Sequence, residues 1–382
     1  MKGFKQEFHR TLKPCFKRRD GKIYIKGREY IDFSSNDYLG LSSHPRLKEA
    51  CKNAVEQFGI GCCASRLLSG DYEIHHMLEE EIAKLKEKEK GLVFNSGYQA
   101  NLGIISAICD RESLILADRF SHASIIDGAI LSSAHLLRFK HNDIGHLESL
   151  LKKNKAKNIW VVTESVFSMD GDKAILSDIV SLKKRYNFKL LVDEAHATGI
   201  FGKNGEGLVG EKGLSKKTEL IMGTFSKALG GFGGYVVGDK EMIDFLINKA
   251  RAFIYSTSLP PCIIAGNLEA LKLLKEEPER RKVLLENAKY LRKRLLDSGF
   301  LITSETQIIP IILKEDERAI KASKYLCEGG FWALPIRPPT VLKNTSRIRL
   351  SLSFYHKKGV LDKLVDALKV YGTCLASLDV FR

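Results

Sequence analysis

Residues Gly223–Tyr235 read GTFSKALGGFGGY, and they set one lysine, Lys227, behind a short apolar run and ahead of four glycines. The run LIMGTFS (Leu220–Ser226) predicts a buried strand that ends in hydroxyls, and GYVVG (Gly234–Gly238) predicts a second strand beyond the glycines. A lysine is normally a solvated charge. One held between a buried strand and a permissive backbone is a candidate reactive amine, with the glycines allowing close approach to a ligand.

Working outward, similar apolar runs occur at LILAD (Leu114–Asp118), IWVVTE (Ile159–Glu164) and KLLVDEA (Lys189–Ala195), separated by helical or loop segments. Short, nearly continuous apolar strands alternating with helices predict an α/β fold with a mostly parallel sheet covered on both faces. Four runs end in polar residues: Asp118, Glu164, Asp193 and Thr224–Ser226. In open α/β sheets ligands bind beyond the carboxyl ends of the strands, so the site is expected there.

The flanks read differently. Residues 1–42 predict an amino-terminal arm with a small β element, 43–279 the large α/β domain, and 280–382 a smaller α+β domain. A helix is expected after Ser43, as cap, with Pro45 in its first turn and Gly59 ending it; another runs from Ile74 to Lys90, with Glu80 and Lys84 as an i,i+4 pair. Near the carboxyl end, IRLSLSF (Ile348–Phe354) alternates strictly, which predicts a strand with one wet face.

Composition excludes several classes. The 382 residues are 44% hydrophobic and 28% charged, ordinary values for a folded soluble protein. Lys and Arg exceed Asp and Glu by 61 to 46, a net +15 that favours anionic partners, yet the basic residues are interspersed with acids and carry no nucleic-acid module. Eight cysteines without CxxC spacing fit reduced thiols in the cytoplasm, and neither a signal peptide nor a membrane span is expected. DEAH (Asp193–His196) matches a helicase box, but no GxxxxGK[ST] accompanies it. The glycines do not follow GxGxxG, HExxH is absent, and the histidine pairs His75/His76 and His141/His146 lack a ligand cluster, so no metal site is expected.

Pyridoxal phosphate unites the polar strand ends. It needs an amine for its aldehyde, a carboxylate for its ring nitrogen and donors for its phosphate. Lys227, Asp193 and the hydroxyls offer these, while His196 could reach the phenolic oxygen and His122 could lie on the ring. Taken singly, Asp193 could equally be a capping acid, and either histidine a satisfied structural one.

Seven segments resemble the α-oxoamine synthase family of fold-type I pyridoxal-phosphate enzymes: FSSNDYLGL (33–41), QFGIG…SRLLSG (57–70), FNSGYQAN (94–101), ADRFSHASIIDG (117–128), ESVFSMDGD (164–172), VDEAHATGIFG (192–202) and GTFSKALGGFGGY. IRPPTV (336–341) is similar to the biotin-pathway branch of that family. The resemblance implies that Lys227 holds the cofactor as a Schiff base, Asp193 pairs with the ring nitrogen, His196 with the phenolic oxygen, and His122 stacks. Gly97, Tyr98, Ser168 and Thr224 match cofactor positions, and Ser256 and Thr257 match residues that reach the phosphate of a neighbouring subunit in a homodimer. Asn36 and Arg349 match carboxylate-binding positions and Thr340 a substrate contact; a surface charge is the alternative for Arg349.

The implied reaction condenses an amino acid, L-alanine, with a pimeloyl thioester of CoA or a carrier protein, losing CO₂. A glycine-using sister synthase and a non-catalytic binding protein on the same fold are the alternatives. The chain departs from the family at Cys62, Cys63 and Ala64, where relatives have small residues, and in a shorter arm whose substrate-contacting arginine is Arg10, Arg18 or Arg19.

Overall fold

The computed structural model describes residues 10–376, so the first nine residues of the expected arm lie outside the described residues. The chain begins with strands β1 (Lys17–Arg19), β2 (Lys22–Ile25) and β3 (Arg28–Asp32), then helices α1 (Pro45–Phe58) and α2 (Glu73–Leu85). There follow β4 (Lys90–Phe94), α3 (Gly97–Ile108), β5 (Ser113–Asp118), α4 (Ala123–Ser132), β6 (His135–Phe139), α5 (Ile144–Lys153), β7 (Asn158–Glu164), α6 (Leu176–Leu182) and β8 (Lys189–Asp193). After α7 (Leu208–Glu211) come β9 (Leu220–Thr224), β10 (Gly234–Gly238), α8 (Lys240–Lys249), α9 (Arg251–Ile254), α10 (Pro261–Glu276) and α11 (Glu279–Asp297). The last elements are β11 (Ile308–Lys314), α12 (Asp316–Glu328), β12 (Phe331–Trp332), β13 (Pro335–Ile336), β14 (Ser346–Ser351) and α13 (Lys358–Ala376).

Seven strands form the central sheet in the order β4-β10-β9-β8-β7-β5-β6. β9, β8, β7, β5 and β6 run parallel, while β10 is antiparallel to both β9 and β4. Because side chains alternate across a strand, Leu114 and Leu116 of β5 enter one core and Ile115 and Ala117 the other. Both faces are therefore dry, which is why these strands read as unbroken apolar runs. The expected α/β architecture is what the chain adopts.

Three local expectations need correction. The cap of α1 is His44, whose ring accepts from the Arg46 N–H, and not Ser43. α2 stops at Leu85, which leaves Lys90–Phe94 free to form β4, and Lys84 pairs with Glu81 rather than Glu80. β14 has no wet face: all six of its residues are buried, including Arg347 and Arg349. A smaller sheet, β11-β14-β13, carries it, and β12 pairs in parallel with β3, so amino- and carboxy-terminal strands share a sheet.

Candidate active site

The strand order β9-β8-β7 brings Thr224, Asp193 and Glu164 side by side at one edge of the sheet, with Glu164 directly opposite Asp193 in the register. The antiparallel β10 turns β4 the same way as β9, so α3 also starts at this edge. Its first turn has Ser96 as cap, accepting from the Gln99 N–H at 3.2 Å, and leaves the N–H groups of Gly97 and Tyr98 available. Together these residues line a cavity of about 240 Å³ with His122, Ser124, Asn101, His196, Ser226 and Lys227.

Lys227 is half-buried, sharing its cavity with Asp193 and Glu164 and within the electrostatic reach of Arg349. Burial and Arg349 pull its pKa down against the two acids, to about 8. Asp193 is held rigidly, with Oδ2 accepting from Asn101 Nδ2 at 2.9 Å and Oδ1 from the Ala195 N–H at 2.8 Å. Glu164 lies fully inside; burial, then the charge of Asp193, raises its pKa well above the carboxylate range, and its Oε1 has no partner among the described residues.

His196 meets Tyr38 Oη through Nδ1 at 2.8 Å, and burial followed by the charges of Lys227 and Arg349 keeps the imidazole neutral. His122 caps α4, with its Nδ1 beside Ser124, and its ring sits edge-on to Tyr98 with centroids 6.3 Å apart. Tyr98 itself bonds Asp127.

Arg349 arrives from β14. Its Nε donates to the Ser168 carbonyl at 2.5 Å, and both terminal nitrogens converge on Asn36 Oδ1 at 3.1 Å, with further bonds to Ser351 and Tyr38. A guanidinium fork closing on one amide oxygen has the geometry in which arginine also grips a carboxylate. The surface-charge alternative for Arg349 fails, since the residue is 7% exposed.

Not every expected residue joins the cavity. Ser168 meets Arg349 through its backbone and does not line the space around Lys227. Ser256 and Thr257 line a separate cleft with Arg66, His75 and Asn95. Thr340 is exposed, and Arg10 Nη2 reaches its Oγ1 at 3.4 Å as well as the carbonyls of Arg337 and Pro338. Arg18 and Arg19 instead border a narrow cleft with Asp20, Asp32 and Asp37. Cys62 is buried with its thiol on the Leu259 carbonyl, and Cys63 adopts φ 54°.

The glycines after Lys227 serve protein packing more than the cavity. A Cβ on Gly231 would lie 1.9 Å from Asn267 Oδ1, and one on Gly234 2.6 Å from the Ser96 carbonyl, where the α3 turn begins. Asn101 and Ser124, both on helices inside or at the end of quoted motifs, carried no signal that singled them out, while Glu164 stood among the polar strand ends without an assigned role. Among the described residues there is no cluster of three metal-ligating side chains, and no helix is long and apolar enough to cross a membrane.

These residues fit pyridoxal phosphate. Free N–H groups at the α3 start and the hydroxyls of Thr224 and Ser226 suit a phosphate, Asp193 a protonated ring nitrogen, and Lys227 an aldehyde; Asn101 Oδ1 and Glu164 Oε1 are buried and unpartnered on two residues that line the same cavity.

Known proteins agree with this. Residues 28–368 match the family model for aminotransferase class I and II. The chain is 44% identical to the 8-amino-7-oxononanoate synthase of Geobacter sulfurreducens, over 96% of this chain and 95% of that one. It is 43% identical to that of Geotalea daltonii, over 95% and 94%. Among solved structures it resembles serine palmitoyltransferase from S. paucimobilis with a bound PLP–myriocin aldimine, at TM-score 0.91 and 31% identity over 95% of this chain and 92% of that one. It also resembles 8-amino-7-oxononanoate synthase from Francisella tularensis, at TM-score 0.79 and 32% identity over 91% and 98%. With a lysine, an aspartate and a helix start converging on one strand edge, and with these relatives matched along nearly their whole length, the chain belongs to the α-oxoamine synthase family of fold-type I, pyridoxal-phosphate-dependent acyltransferases.

Proposed function

We propose that the protein joins L-alanine to a pimeloyl thioester, releasing CO₂ and the thiol and giving 8-amino-7-oxononanoate for biotin synthesis. The observation that carries the reading is the amine of Lys227 in one cavity with Asp193, His122, His196 and the start of α3, where burial lowers its pKa to about 8. The relatives' names supply the substrate class.

Pyridoxal phosphate, when bound, supplies the electron sink that lets the α-carbon lose a proton and later a carboxylate. Lys227 would hold its aldehyde, Asp193 its ring nitrogen, His196 its phenolic oxygen and His122 its ring face. Gly97, Tyr98, Thr224 and Ser226 would hold its phosphate, as would Ser256 and Thr257 of a second copy, because in one chain they line a different cleft from Lys227. Arg349 and Asn36 would grip the amino-acid carboxylate.

Lys227 Nζ, neutral in part near pH 8, would accept the α-proton and return one at the end. Burial, then the charge of Asp193, raises the pKa of Glu164 well above its ordinary value, which favours its protonated form beside Asp193. Arg10, beside Thr340, is our choice for the distal carboxylate of the acyl chain. The site would thus sit where the arm (1–42), the large domain (43–279) and the small domain (280–382) meet, since Asn36, Lys227 and Arg349 come one from each. The net charge of +15 favours CoA or an acidic carrier protein as acyl donor, and a cytoplasmic enzyme fits the reduced cysteines.

The test is to incubate the protein and pyridoxal phosphate with alanine or glycine and pimeloyl or acetyl thioesters, and to weigh the product. The aminoketone from alanine and pimeloyl thioester is expected. Turnover of glycine with acetyl-CoA alone would make it a sister synthase, and no turnover with any pair would favour a binding protein.

A further inference from the structure

Outside the cavity, residues 165–174 form a tight hairpin. It is closed by the Val166–Lys173 bridge and by bonds from the Phe167 N–H to the Asp172 carbonyl and from the Ala174 N–H to that of Ser165. One side of this hairpin receives β14: Arg349 Nε binds the Ser168 carbonyl, and Arg347 Nη1 binds the Met169 carbonyl at 3.1 Å and Asp170 Oδ1 at 2.7 Å. The hairpin is therefore one of the anchors that set where Arg349 points, holding Nε while Asn36, Tyr38 and Ser351 hold the terminal nitrogens.

Its other side is clamped by a histidine that sequence patterning left without a role. His141, just after β6, reaches Asp118 Oδ1 through Nδ1 at 2.9 Å and Asp172 Oδ2 through Nε2 at 2.7 Å. The ring is stacked on Phe120 at 4.4 Å and 26° and is met edge-on by Phe167 at 4.4 Å and 87°. Asn142 adds bonds from its N–H to Asp118 Oδ2 and from Nδ2 to Asp172 Oδ2 and the Lys173 carbonyl. Asp118 is 1% exposed and Asp172 only partly exposed, so the two carboxylates would repel across a poorly hydrated gap without a cation between them. The imidazole supplies it: hydrogen bonds to both acids overcome burial and raise its pKa to about 10.

We propose that His141 is a positioning residue for the amino-acid substrate: its bridge from Asp118 to Asp172 fixes the 165–174 hairpin, whose Ser168 carbonyl aims Arg349 at the substrate carboxylate. This rests on the reading of Arg349 as the carboxylate-binding group. His141 touches neither the cavity around Lys227 nor the cofactor residues, so its loss should act on amino-acid binding and leave the cofactor alone.

The experiment compares steady-state kinetics and cofactor absorbance of His141→Gln, Asp172→Asn, the double variant and Arg349→Lys. His141→Gln is expected to raise KM for the amino acid about tenfold, with kcat, KM for the thioester and the cofactor spectrum little changed. Asp172→Asn should raise it by a smaller factor. The double variant should fall back towards Asp172→Asn, because the repulsion left by removing the cation is relieved. Unchanged amino-acid KM in His141→Gln, or a loss confined to kcat or cofactor binding, overturns the proposal if Arg349→Lys does raise that KM. If Arg349→Lys leaves it unchanged, the reading of Arg349 fails instead. Should His141→Gln not melt cooperatively, Asp172→Asn alone decides by the same KM criterion.

Discussion

At Lys227 two effects oppose each other. Removing an ammonium from water lowers its pKa, and two neighbouring acids raise it; burial wins, with help from Arg349. Activity should therefore climb as pH rises towards about 8, and a rate–pH profile with its ascending limb near 10 would contradict this. Asp193 and Glu164 face each other in the register but are held differently: the Asn101 amide and the Ala195 N–H donate to Asp193, whereas burial, then the charge of Asp193, raises the pKa of Glu164 well above its ordinary value. Asp193→Asn is expected to cost about a hundredfold or more in rate while retaining cofactor. Glu164→Gln, which mimics the protonated form that burial favours, should stay within about threefold of the parent, and a loss as large as that of Asp193→Asn would show that Glu164 acts as an ion.

At the scale of elements, ion pairs hold the strand ends in place. Glu194 points away from the cavity and takes Lys86 at 2.7 Å in a fully buried pair, with Thr198 and the Glu206 carbonyl completing the ammonium's bonds. Lys86→Met leaves a buried carboxylate unpaired and should destabilise the fold by about 3–5 kcal/mol, read by denaturant unfolding. The His141 bridge predicts a pH effect of definite sign. Its folded pKa of about 10 exceeds the usual 6.5, so its stabilisation is complete below pH 6.5 and vanishes as pH rises through 10. The melting temperature should fall more steeply between pH 7 and 10 in the parent than in His141→Gln; parallel curves would rule the bridge out as a stabiliser.

The same elements explain what was legible in the sequence. β5, β7, β8 and β9 stood out because both faces are buried, whereas β6 (HLLRF) is half exposed and β4 was hidden by a charged helix pattern that seemed to continue to Lys90. β14 alternates like a wet strand, but its polar positions include Arg347 and Arg349, both bonded to the hairpin, which no local pattern reveals. Asp118, His141 and Asp172 meet across separations of 23 and 31 residues, so spacing could not unite them.

For the whole molecule, charge and assembly matter. A net +15 should draw in an anionic thioester, so its kcat/KM is expected to fall several-fold as salt rises from about 50 to 300 mM, whereas the value for alanine, a zwitterion, should fall less. Ser256 and Thr257 lie apart from Lys227 within one chain, beside the exposed Tyr255. If two copies share sites, coexpressing Lys227→Ala with a Ser256→Ala, Thr257→Ala variant should restore activity that neither has alone, because one site of the mixed dimer is intact. Absence of restoration would mean that each chain completes its own site.

The most direct test of the central claim is chemical. The protein is incubated with pyridoxal phosphate, reduced with borohydride, digested and analysed by mass spectrometry. A phosphopyridoxyl group on Lys227 is the predicted result, and a stoichiometric adduct on any other lysine, with Lys227 unmodified, would contradict the account.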